Sequence, residues 1–327
     1  MTSVPRDEQP QVPTVLVLGG AGFIGRRAVA ALLQRRCRIV VGSRHPLRID
    51  ARLPAGAVRC PRRTTRLETL LELADWTTVL DGVDVVVNCV GILRQRGRET
   101  YDRVHHLAPG ALALACTQRR MRLVHISAIA LDPQSRSRFQ RSKLAGEKAI
   151  RAAGGDWHLV RPSLLDGDDG FGSRWLRALA RLPVHALPAD ARGRIAAWHV
   201  EDLGEALANL ALAPATATDA PRVHELGGRE AWPLAEYLAR LRDPRRAPAW
   251  VVPVPPLLAR LASHVCDALH VSPFSFAHWE MLQRDNVPAP NRAPALLGRE
   301  PRGVGNPAPP DAAGTPRLFG TTPRALP

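Results

Sequence analysis

The chain has 327 residues, of which 45% are hydrophobic, and its formal net charge is +15. This length is enough for a full core in one large domain or two coupled domains. No stretch approaches the ~18 consecutive apolar residues of a membrane-spanning helix, and residues 1–13 lack the apolar segment of a signal peptide. We therefore expect no transmembrane helix and a cytoplasmic location.

The positive charge comes almost entirely from arginine, because Lys143 and Lys148 are the two lysines among 45 basic residues. The arginines are scattered and lack interleaved aromatic residues, so we expect no specific nucleic-acid partner. Attraction to an anionic membrane surface remains an alternative. The cysteines show no paired spacing, which predicts reduced thiols and no metal site. They are Cys37, Cys60, Cys89, Cys116 and Cys266.

Strand and helix patterns alternate from residue 14 to residue 162, which predicts an α/β fold with a Rossmann-like, doubly wound parallel sheet. The predicted strands are Thr14–Leu18, Arg38–Gly42, Ala57–Cys60, Asp84–Cys89, Leu123–Ser127 and His158–Arg161. The predicted helices are Phe23–Arg35, Arg66–Leu80, Tyr101–Arg119 and Phe139–Ala153.

The alternation is less regular beyond Pro162, where we predict helices Arg174–Arg181 and Glu201–Leu212 and a strand Val223–Leu226. We interpret residues 14–162 as the dinucleotide-binding domain and 163–300 as a smaller substrate or docking domain. Residues 1–13 and the tail 301–327, which is rich in Pro, Gly and Ala, are predicted to be disordered.

The first predicted strand runs directly into glycines spaced G-x-x-G-x-x-G, and a helical pattern follows. Gly19 permits a tight turn, Gly22 lets a pyrophosphate approach the backbone, and Gly25 lets the helix pack close to the strand. The helix N-terminus supplies free N–H groups for phosphate oxygens. The loop residues predicted to contact a dinucleotide are Gly19, Gly20, Ala21, Gly22, Phe23, Ile24 and Gly25.

Ser127 ends the fifth predicted strand, and Lys143 lies four residues after Phe139. In this pattern the chain resembles the short-chain dehydrogenase/reductase superfamily, in its extended, atypical branch. The resemblance implies that Ser127 polarises a carbonyl and that Lys143 binds the nicotinamide ribose. The superfamily has a proton-donating tyrosine where this chain has Phe139, and a phenyl ring has no proton to give. The usual acid catalysis, worth roughly 10²–10⁴ in rate, is therefore in doubt.

A closer resemblance is to the nucleotide-binding accessory subunit of respiratory complex I and its bacterial relatives, over about residues 14–299. The stretches that carry it are Gly19–Gly25, Val85–Gly91, Arg138–Lys143, Arg161–Ser163, Trp198–Asp202 and Val271–Phe274. The resemblance implies further cofactor contacts from Asn88, Cys89, Val90, Gly91, Lys143, Arg161, Pro162 and Ser163.

The second predicted strand is followed by Ser43 and Arg44, without the carboxylate that binds the ribose 2′-OH of NAD. Arg44 and Arg26 are placed to clamp a 2′-phosphate, so NADP(H) is favoured over NAD(H). The family commonly has an aspartate that contacts the adenine after the third strand. This chain has Arg62 and Arg63 there, which weakens the expectation of adenine recognition.

Three functions follow from these patterns. The first is an NADP(H)-binding accessory or assembly factor linked to respiratory complex I or quinone metabolism. The second is an active reductase, epimerase or dehydratase with a substitute proton donor, such as a water held by Ser127. The third is a basic scaffold that has lost its nucleotide.

Two histidine-containing clusters are weaker candidates for a functional site. His199, Glu201 and Asp202 resemble a metal-ligand set, but their position at a helix start favours capping and packing. His105 and His106 lie on a helix near the cofactor side, where packing is the more common role. We predict no metal site.

The segment Pro255–Leu269 has the apolar spacing of an amphipathic helix, and three aromatic residues follow it. These are Phe274, Phe276 and Trp279. The segment either docks on a membrane or partner, or packs as a lid on its own domain. Docking would place the protein peripherally on the inner face of a membrane, or on a complex there.

Overall fold

The computed structural model describes residues 12–214, 222–269 and 274–305, and the backbone of 317–318. Most of the two predicted disordered ends, and residues 271–273 of the Val271–Phe274 motif, lie outside the described residues. The strands are β1 (Thr14–Leu18), β2 (Arg38–Ser43), β3 (Arg62–Thr64), β4 (Val85–Asn88), β5 (Arg122–Ile126), β6 (Asp156–Pro162), β7 (Leu165–Asp166), β8 (Val184–Pro188), β9 (Arg194–Ile195), β10 (Trp198–His199), β11 (Val223–Leu226), β12 (Trp232–Pro233), β13 (Trp250–Val254) and β14 (Arg317–Leu318).

The predicted helices agree closely with the structure apart from the segment 66–80, and the sequence analysis did not predict α6, α8 and α9. They are α1 (Gly25–Leu33), α2 (Ala108–Gln118), α3 (Arg138–Ala153), α4 (Phe171–Ala180), α5 (Val200–Leu212), α6 (Leu234–Leu241), α7 (Pro256–Leu269), α8 (Phe276–Leu282) and α9 (Ala293–Leu297). A π-helical segment, Asp102–Leu107, leads directly into α2. Within the described residues, no helix is long and apolar enough to cross a membrane.

Seven strands form one sheet in the order β11-β6-β5-β4-β1-β2-β3, and all the pairs are parallel. The strand order reverses at β1, which pairs with β2 on one side and β4 on the other. Parallel sheets of this kind bind ligands at the carboxyl ends of the strands beside such a reversal. The predicted Rossmann-like fold is confirmed.

Alternate residues of β1 point to opposite faces of the sheet, so the strand contributes to two cores. Val15 and Val17 pack with α1 and α5, whereas Leu16 and Leu18 pack with α2 and α3. All four side chains are fully buried. Burial on both faces explains why the strand is a continuous apolar run in the sequence.

The predicted strand Ala57–Cys60 is wrong, because this segment forms a turn that Cys60 N closes by donating to Ala57 O. The third strand is β3, which contains Arg62 and Arg63. It is the edge strand, and its arginines leave the sheet to bond with backbone carbonyls, as Arg63 does with Val79 at 2.5 Å. An edge strand of this kind lacks the apolar run that marks a central strand.

The predicted helix Arg66–Leu80 is also wrong, because the segment forms two short 3₁₀ helices, Leu67–Thr69 and Leu73–Trp76. The carboxylate of Asp75 accepts hydrogen bonds from the backbone N–H groups of Leu71 and Glu72, both at 2.9 Å. These bonds satisfy the backbone locally, in competition with a continuous helix. The apolar side chains responsible for the helical pattern are nevertheless buried under the sheet.

The chain returns to the sheet after residue 162. Strand β11 pairs with β6, and α5 packs against α1. The approach of the two helices is close, because a Cβ on Gly204 would lie 2.6 Å from the carbonyl carbon of Arg27. Helices α4 and α6 form a third, smaller core with Leu187 of β8, and Tyr237 of α6 is buried in it. The division of the chain at residue 162 remains a prediction.

Candidate functional site

The glycine loop forms a tight turn between β1 and α1. Gly19 has a φ of +71°, and its carbonyl accepts a hydrogen bond from Gly22 N at 2.8 Å. A Cβ on Gly25 would lie 2.8 Å from the Cα of Gly20, so α1 begins closer to the loop than a side chain allows. The loop therefore presents bare backbone beside a helix N-terminus, as a bound pyrophosphate requires.

A cavity of about 1220 Å³ opens at the carboxyl ends of the strands. Most of the predicted site residues line it. They are Gly19, Ala21, Gly22, Phe23, Ile24, Ser43, Arg44, Cys89, Val90, Gly91, Ser127, Phe139, Lys143, Pro162 and Ser163. The structure thus brings the glycine loop, the end of β4 and the Ser127–Lys143 pair around one space. Gly20, Gly25, Arg26, Asn88 and Arg161 do not line it.

Asn88 is fully buried and supports the lining residues from behind. Its side-chain oxygen accepts from Val90 N at 3.1 Å, and its side-chain nitrogen lies 3.1 Å from Nδ1 of His125. Burial lowers the pKa of His125 to about 3. His125 is therefore neutral at pH 7, and Asn88 fixes the turn that carries Cys89 and Val90 into the cavity.

Ser127, Phe139 and Lys143 meet at the centre of the cavity. Lys143 Nζ lies 3.4 Å from the carbonyl oxygen of Ile126 and 5.8 Å from the centroid of the Phe139 ring. Burial lowers the pKa of Lys143 to about 8, so its ammonium form still predominates at pH 7. The hydroxyl of Ser127 is buried and has no hydrogen-bond partner among the described residues. A ligand atom in the cavity would satisfy that hydroxyl.

Tyr101 and His105, a residue that the sequence analysis assigned to packing, lie against Phe139. The rings of Tyr101 and His105 meet it edge-on, with centroids at 5.7 and 5.3 Å. The hydroxyl of Tyr101 donates to Leu93 O at 2.8 Å, and neither ring lines the cavity. His105 accepts from Ile92 N at 3.0 Å, and burial lowers its pKa well below the usual value. Spacing in the sequence cannot show this cluster, because the π-helical segment and α3 meet only in the folded chain.

Both arginines predicted to clamp a 2′-phosphate already contact carboxylates. Arg44 forms an ion pair with Glu99, and Arg26 forms one with Asp169. Burial is the main reason that the pKa of Arg26 is lowered, and the neighbouring Arg27 adds to the effect. A phosphate at this position would have to share these arginines with the two carboxylates.

Further basic residues line the cavity beside Ser43 and Arg44. They are His45, Arg48 and Arg52, in the turns that follow β2. The sequence analysis missed them, since arginine is so frequent in this chain that one more carries little information. Together with Arg44, they make the side of the cavity next to β2 basic.

Arg161 is turned away from the cavity and held by two carboxylates. Its guanidinium donates to both oxygens of Glu147, at 2.9 and 2.5 Å, and lies 3.4 Å from Glu225. Hydrogen bonding to Glu147 raises the pKa of Arg161. The adjacent Ser163 lines the cavity while donating to the backbone oxygen of Asn286 at 2.7 Å. In this structure Arg161 connects β6 with α3 and β11.

The acidic residues at the start of α5 bind arginines. Glu201 accepts from Arg27 at 3.2 Å, and His199 contacts the same carboxylate. Asp202 is fully buried and accepts from Arg299 at 2.8 Å and from Arg302 N at 2.7 Å. Among the described residues, no group of three ligand-type side chains is arranged to hold a metal ion.

Comparisons with known proteins agree with this geometry. A family model described as NAD(P)H-binding matches residues 19–201. The ceramide reductase of Caulobacter vibrioides is 32% identical over 197 residues, which is 58% of this chain and 57% of that protein. A mitochondrial NADH dehydrogenase [ubiquinone] 1 alpha subcomplex subunit 9 from Dictyostelium discoideum is 26% identical over 69% of this chain and 62% of its own length. The match thus spans less than two thirds of either relative.

The solved structures that resemble this chain share its fold at low sequence identity. An NADPH-dependent quinone oxidoreductase from Escherichia coli, complexed with NADPH, has a TM-score of 0.65 and 17% identity, over 88% of this chain and 96% of that one. A nucleoside-diphosphate-sugar epimerase from Staphylococcus aureus has a TM-score of 0.68 and 14% identity, over 89% of this chain and 98% of that one. These likenesses show a Rossmann-like fold.

Proposed function

Because the chain belongs to the NAD(P)H-binding family, as an atypical short-chain dehydrogenase/reductase, we propose that it binds NADP(H) without the family's usual turnover. In this proposal it serves as an accessory or assembly factor of a respiratory complex or of quinone metabolism. The observation that carries the proposal is Phe139, which lies in the cavity beside Ser127 and Lys143. In this proposal the glycine loop, Ser127 and Lys143 hold a dinucleotide, and Phe139 has no proton to give where the superfamily has a tyrosine.

The residues of the cavity suit a dinucleotide. The bare backbone from Gly19 to Gly22 would receive the pyrophosphate. The unpartnered Ser127 hydroxyl would donate a hydrogen bond to a polar group of the ligand. Lys143 would donate to the nicotinamide ribose. When bound, the cofactor supplies a hydride, and the chain's own residues orient it and exclude water.

Preference for NADP(H) is supported by the basic side of the cavity. Arg44, Arg48 and Arg52 line it after β2, and no carboxylate follows that strand directly to bind a ribose 2′-OH. Glu99 acts against this preference, because it contacts Arg44 and would repel a 2′-phosphate.

We expect low turnover because Phe139 stands where the superfamily has its proton-donating tyrosine, and because Lys143 is assigned to the ribose. The described lining of the cavity contains no tyrosine, and the hydroxyl of Tyr101 donates to the backbone oxygen of Leu93. Lys143 and Ser127 would hold a carbonyl and a ribose, but the ring of Phe139 cannot transfer a proton. General acid catalysis is worth roughly 10²–10⁴ in rate, so its loss leaves a slow reaction.

The accessory role is supported by the relatives. The matched proteins of Dictyostelium discoideum and Neurospora crassa are named as mitochondrial subunits of NADH dehydrogenases. The net charge of +15 and the exposed leucines of α7 suit a peripheral position on the cytoplasmic face of a membrane, or on a complex there.

A second candidate function is an active reductase with a substitute proton donor. The cavity continues beyond Ser127 and Lys143 into a space lined by residues after 163, which leaves room for a second ligand. The relative from Caulobacter vibrioides is named as a reductase. A water held by Ser127 would then replace the tyrosine hydroxyl.

Three measurements on the full chain test the proposal. We expect mass spectrometry of the purified protein to detect a nicotinamide dinucleotide, and calorimetry to show tighter binding of NADPH than of NADH. We also expect NADPH oxidation on a panel of quinones and carbonyls to stay near background, with a measurable rate in Phe139→Tyr. Phe139→Leu is the matched control, because it changes the ring without adding a hydroxyl. Wild-type rates typical of ordinary reductases would favour the second candidate, and no binding of either dinucleotide would overturn both.

A further inference from the structure

The part of the cavity that is lined by residues after Ser163 in the sequence differs in chemistry from the part beside the glycine loop. We call it the apolar chamber, and it is formed mainly by α4, β8, α7 and α8. Among the described residues that line it, none is Asp, Glu, Lys or Arg. The large side chains facing it include Phe171, Trp175, Leu176, Leu187, Met281 and Leu282. A lining without charge cannot neutralise a sugar phosphate, whereas it suits a hydrocarbon chain.

His278 is a polar, titratable side chain in the described lining of the chamber, and it is neutral at pH 7. Its Nδ1 lies 2.6 Å from the hydroxyl of Ser275, and burial lowers the pKa of its ring to about 4. The thiol of Cys266 also faces the chamber. The chamber therefore offers few polar partners, and Ser127 and Lys143 at its inner end supply the polar contacts.

Helix α7 separates the chamber from solvent and is apolar on both sides. Ala259, Ala262 and Cys266 face the chamber from one side. The other side exposes five large aliphatic side chains, with exposed fractions between 47% and 76%. They are Leu257, Leu258, Leu261, Val265 and Leu269. A continuous exposed stripe of this kind on one helix marks a surface that contacts a partner or a membrane.

The chamber opens beside this helix. Ala262 on α7 and Ala186 on β8 both line the cavity and are both exposed to solvent. The cavity therefore reaches solvent at these two alanines, and Ala262 follows Leu258 by one turn of α7. The C-terminal end of α7 is tied to the loop after β4 by an ion pair between Asp267 and Arg94, at 2.7 Å. Helix α7 thus lines the chamber through Ala259, Ala262 and Cys266, and through Asp267 it also contacts the loop after β4.

From this arrangement we infer that the apolar chamber binds an amphiphile with a long apolar chain, which enters from a lipid bilayer on which the leucine stripe of α7 rests. The hydrocarbon chain of the amphiphile would lie between α4 and α7, and its polar head would lie near Ser127 and Lys143. This inference deepens the proposed function by naming a ligand class for the same cavity, and it rests on the proposed position of the dinucleotide. It does not require turnover.

A bilayer fits the stripe better than a protein partner for two reasons. The first is the chamber mouth, because a molecule that crosses from a bilayer into the chamber avoids exposing its chain to water. The second is charge, because a chain with a net charge of +15 is attracted to anionic lipid headgroups.

Ligand binding is tested with cis-parinaric acid, whose fluorescence rises in an apolar site. We expect the wild-type chain to bind it, and palmitate or decylubiquinone to displace it. Ala262→Trp places an indole where Ala262 lines the chamber. It should weaken probe binding about tenfold, because the indole occupies space that the acyl chain of the probe needs. Ala152→Trp, at an exposed alanine of α3 outside the cavity, is the matched control. Equal probe binding by the two variants, or displacement by neither competitor, would overturn the inference.

Bilayer contact is tested by sedimentation with vesicles of phosphatidylcholine containing phosphatidylglycerol. The triple variant Leu257→Gln/Leu261→Gln/Val265→Gln should lose about tenfold in vesicle affinity, since it removes the apolar stripe. The control variant Leu107→Gln/Leu114→Gln changes exposed leucines of another helical region. Unchanged binding of the triple variant would exclude α7 as the contact. Binding to a copurifying protein, with no binding to vesicles, would replace the bilayer by a protein partner.

The two proposals can fail separately. NADPH affinity, measured by calorimetry, should differ by less than about twofold between Ala262→Trp and wild type, because Ala262 belongs to α7 and the glycine loop joins β1 to α1. Probe binding without NADPH binding would overturn the proposed function and the position of the polar head beside a dinucleotide, but it would still support an amphiphile site in the chamber. NADPH binding without probe binding would overturn the chamber inference and leave the proposed binding of NADP(H) supported.

Discussion

Lys143 shows at the scale of one residue how burial changes the chemistry of a side chain. It is one of two lysines in the chain, and burial lowers its pKa from 10.5 to about 8. The unfolded chain therefore binds more protons than the folded chain between about pH 8 and pH 10.5. The free energy of unfolding should rise with pH across that window, by up to about 1.4 kcal/mol for each unit of pKa shift.

We predict that Lys143→Met removes the part of the pH dependence of the unfolding free energy that comes from Lys143. Compared with the variant, the wild type should gain stability between pH 7 and pH 10, as measured by urea unfolding at both values. Lys148→Met, at an exposed lysine of the same helix, is the matched control. If the two variants change equally relative to the wild type, Lys143 is not responsible.

Glu99 is the residue most directly opposed to the proposed cofactor preference. It contacts Arg44 at the basic side of the cavity, where a 2′-phosphate would lie. We predict that Glu99→Gln raises the affinity for NADPH relative to NADH about fivefold, since it frees the guanidinium and removes a repelling charge. Calorimetry with both cofactors measures the ratio.

Two further variants make the Glu99 prediction decisive. Glu230→Gln makes the same change of charge at an exposed glutamate outside the cavity and should leave the ratio unchanged. Arg44→Ala should lower the ratio. A preference that stays the same in both Glu99→Gln and Arg44→Ala would show that the 2′-phosphate is bound elsewhere.

At the scale of the elements, α1 and α5 illustrate a contact that joins distant parts of the chain. Gly204 of α5 lies against the backbone of Arg27, with space for no side chain. We predict that Gly204→Ala lowers the free energy of unfolding by about 1–3 kcal/mol, because the helices must separate. Dinucleotide binding should weaken as well, since α1 carries the phosphate-binding N-terminus.

The control for this variant is Gly172→Ala on α4, where an added Cβ has no atom within 4 Å. Urea unfolding of both variants isolates the steric effect from the general preference of helices for alanine over glycine. Equal stability of the two variants would mean that α1 and α5 can move apart without cost.

The elements also differ in how far the sequence alone could predict them. Strand β4 agrees with its prediction because three consecutive valines form a buried apolar run. Helix α3 also agrees, although polar or small residues make up most of its buried face. The segment 66–80 has helical spacing, yet the Asp75 carboxylate caps a short turn instead. The aromatic residues after α7 pack against the protein, since Phe276 stacks on His264 and Trp279 bonds to Asp190. Within this segment, the large exposed apolar side chains are therefore the leucines and Val265 of α7.

For the molecule as a whole, charge and the exposed stripe lead to the same prediction. In cells that express the native chain, we expect recovery with the membranes at low salt and release by a wash at high ionic strength. Each well-placed basic residue contributes about 1 kcal/mol near an anionic surface, and salt screens this attraction. A transmembrane marker protein that stays in the pellet is the control. Complete recovery in the supernatant at low salt would argue for a free cytosolic protein.

The sequence by itself determined the Rossmann-like sheet, the glycine loop and the unusual Phe139. Each depends on a local pattern, either an apolar run, a glycine spacing or a four-residue offset on one helix. Most of the predicted site residues line one cavity for the same reason, because parallel strands place their carboxyl ends together.

Only the tertiary structure decided which charges face one another and where the apolar surface lies. The pairing of Arg44 with Glu99, and of Arg26 with Asp169, joins segments far apart in the chain. The ring of Tyr101 beside Phe139, and the chamber behind α7, likewise arise from such packing. Contacts of this kind depend on how the elements pack in space, and residue spacing along one element carries no record of its distant neighbours.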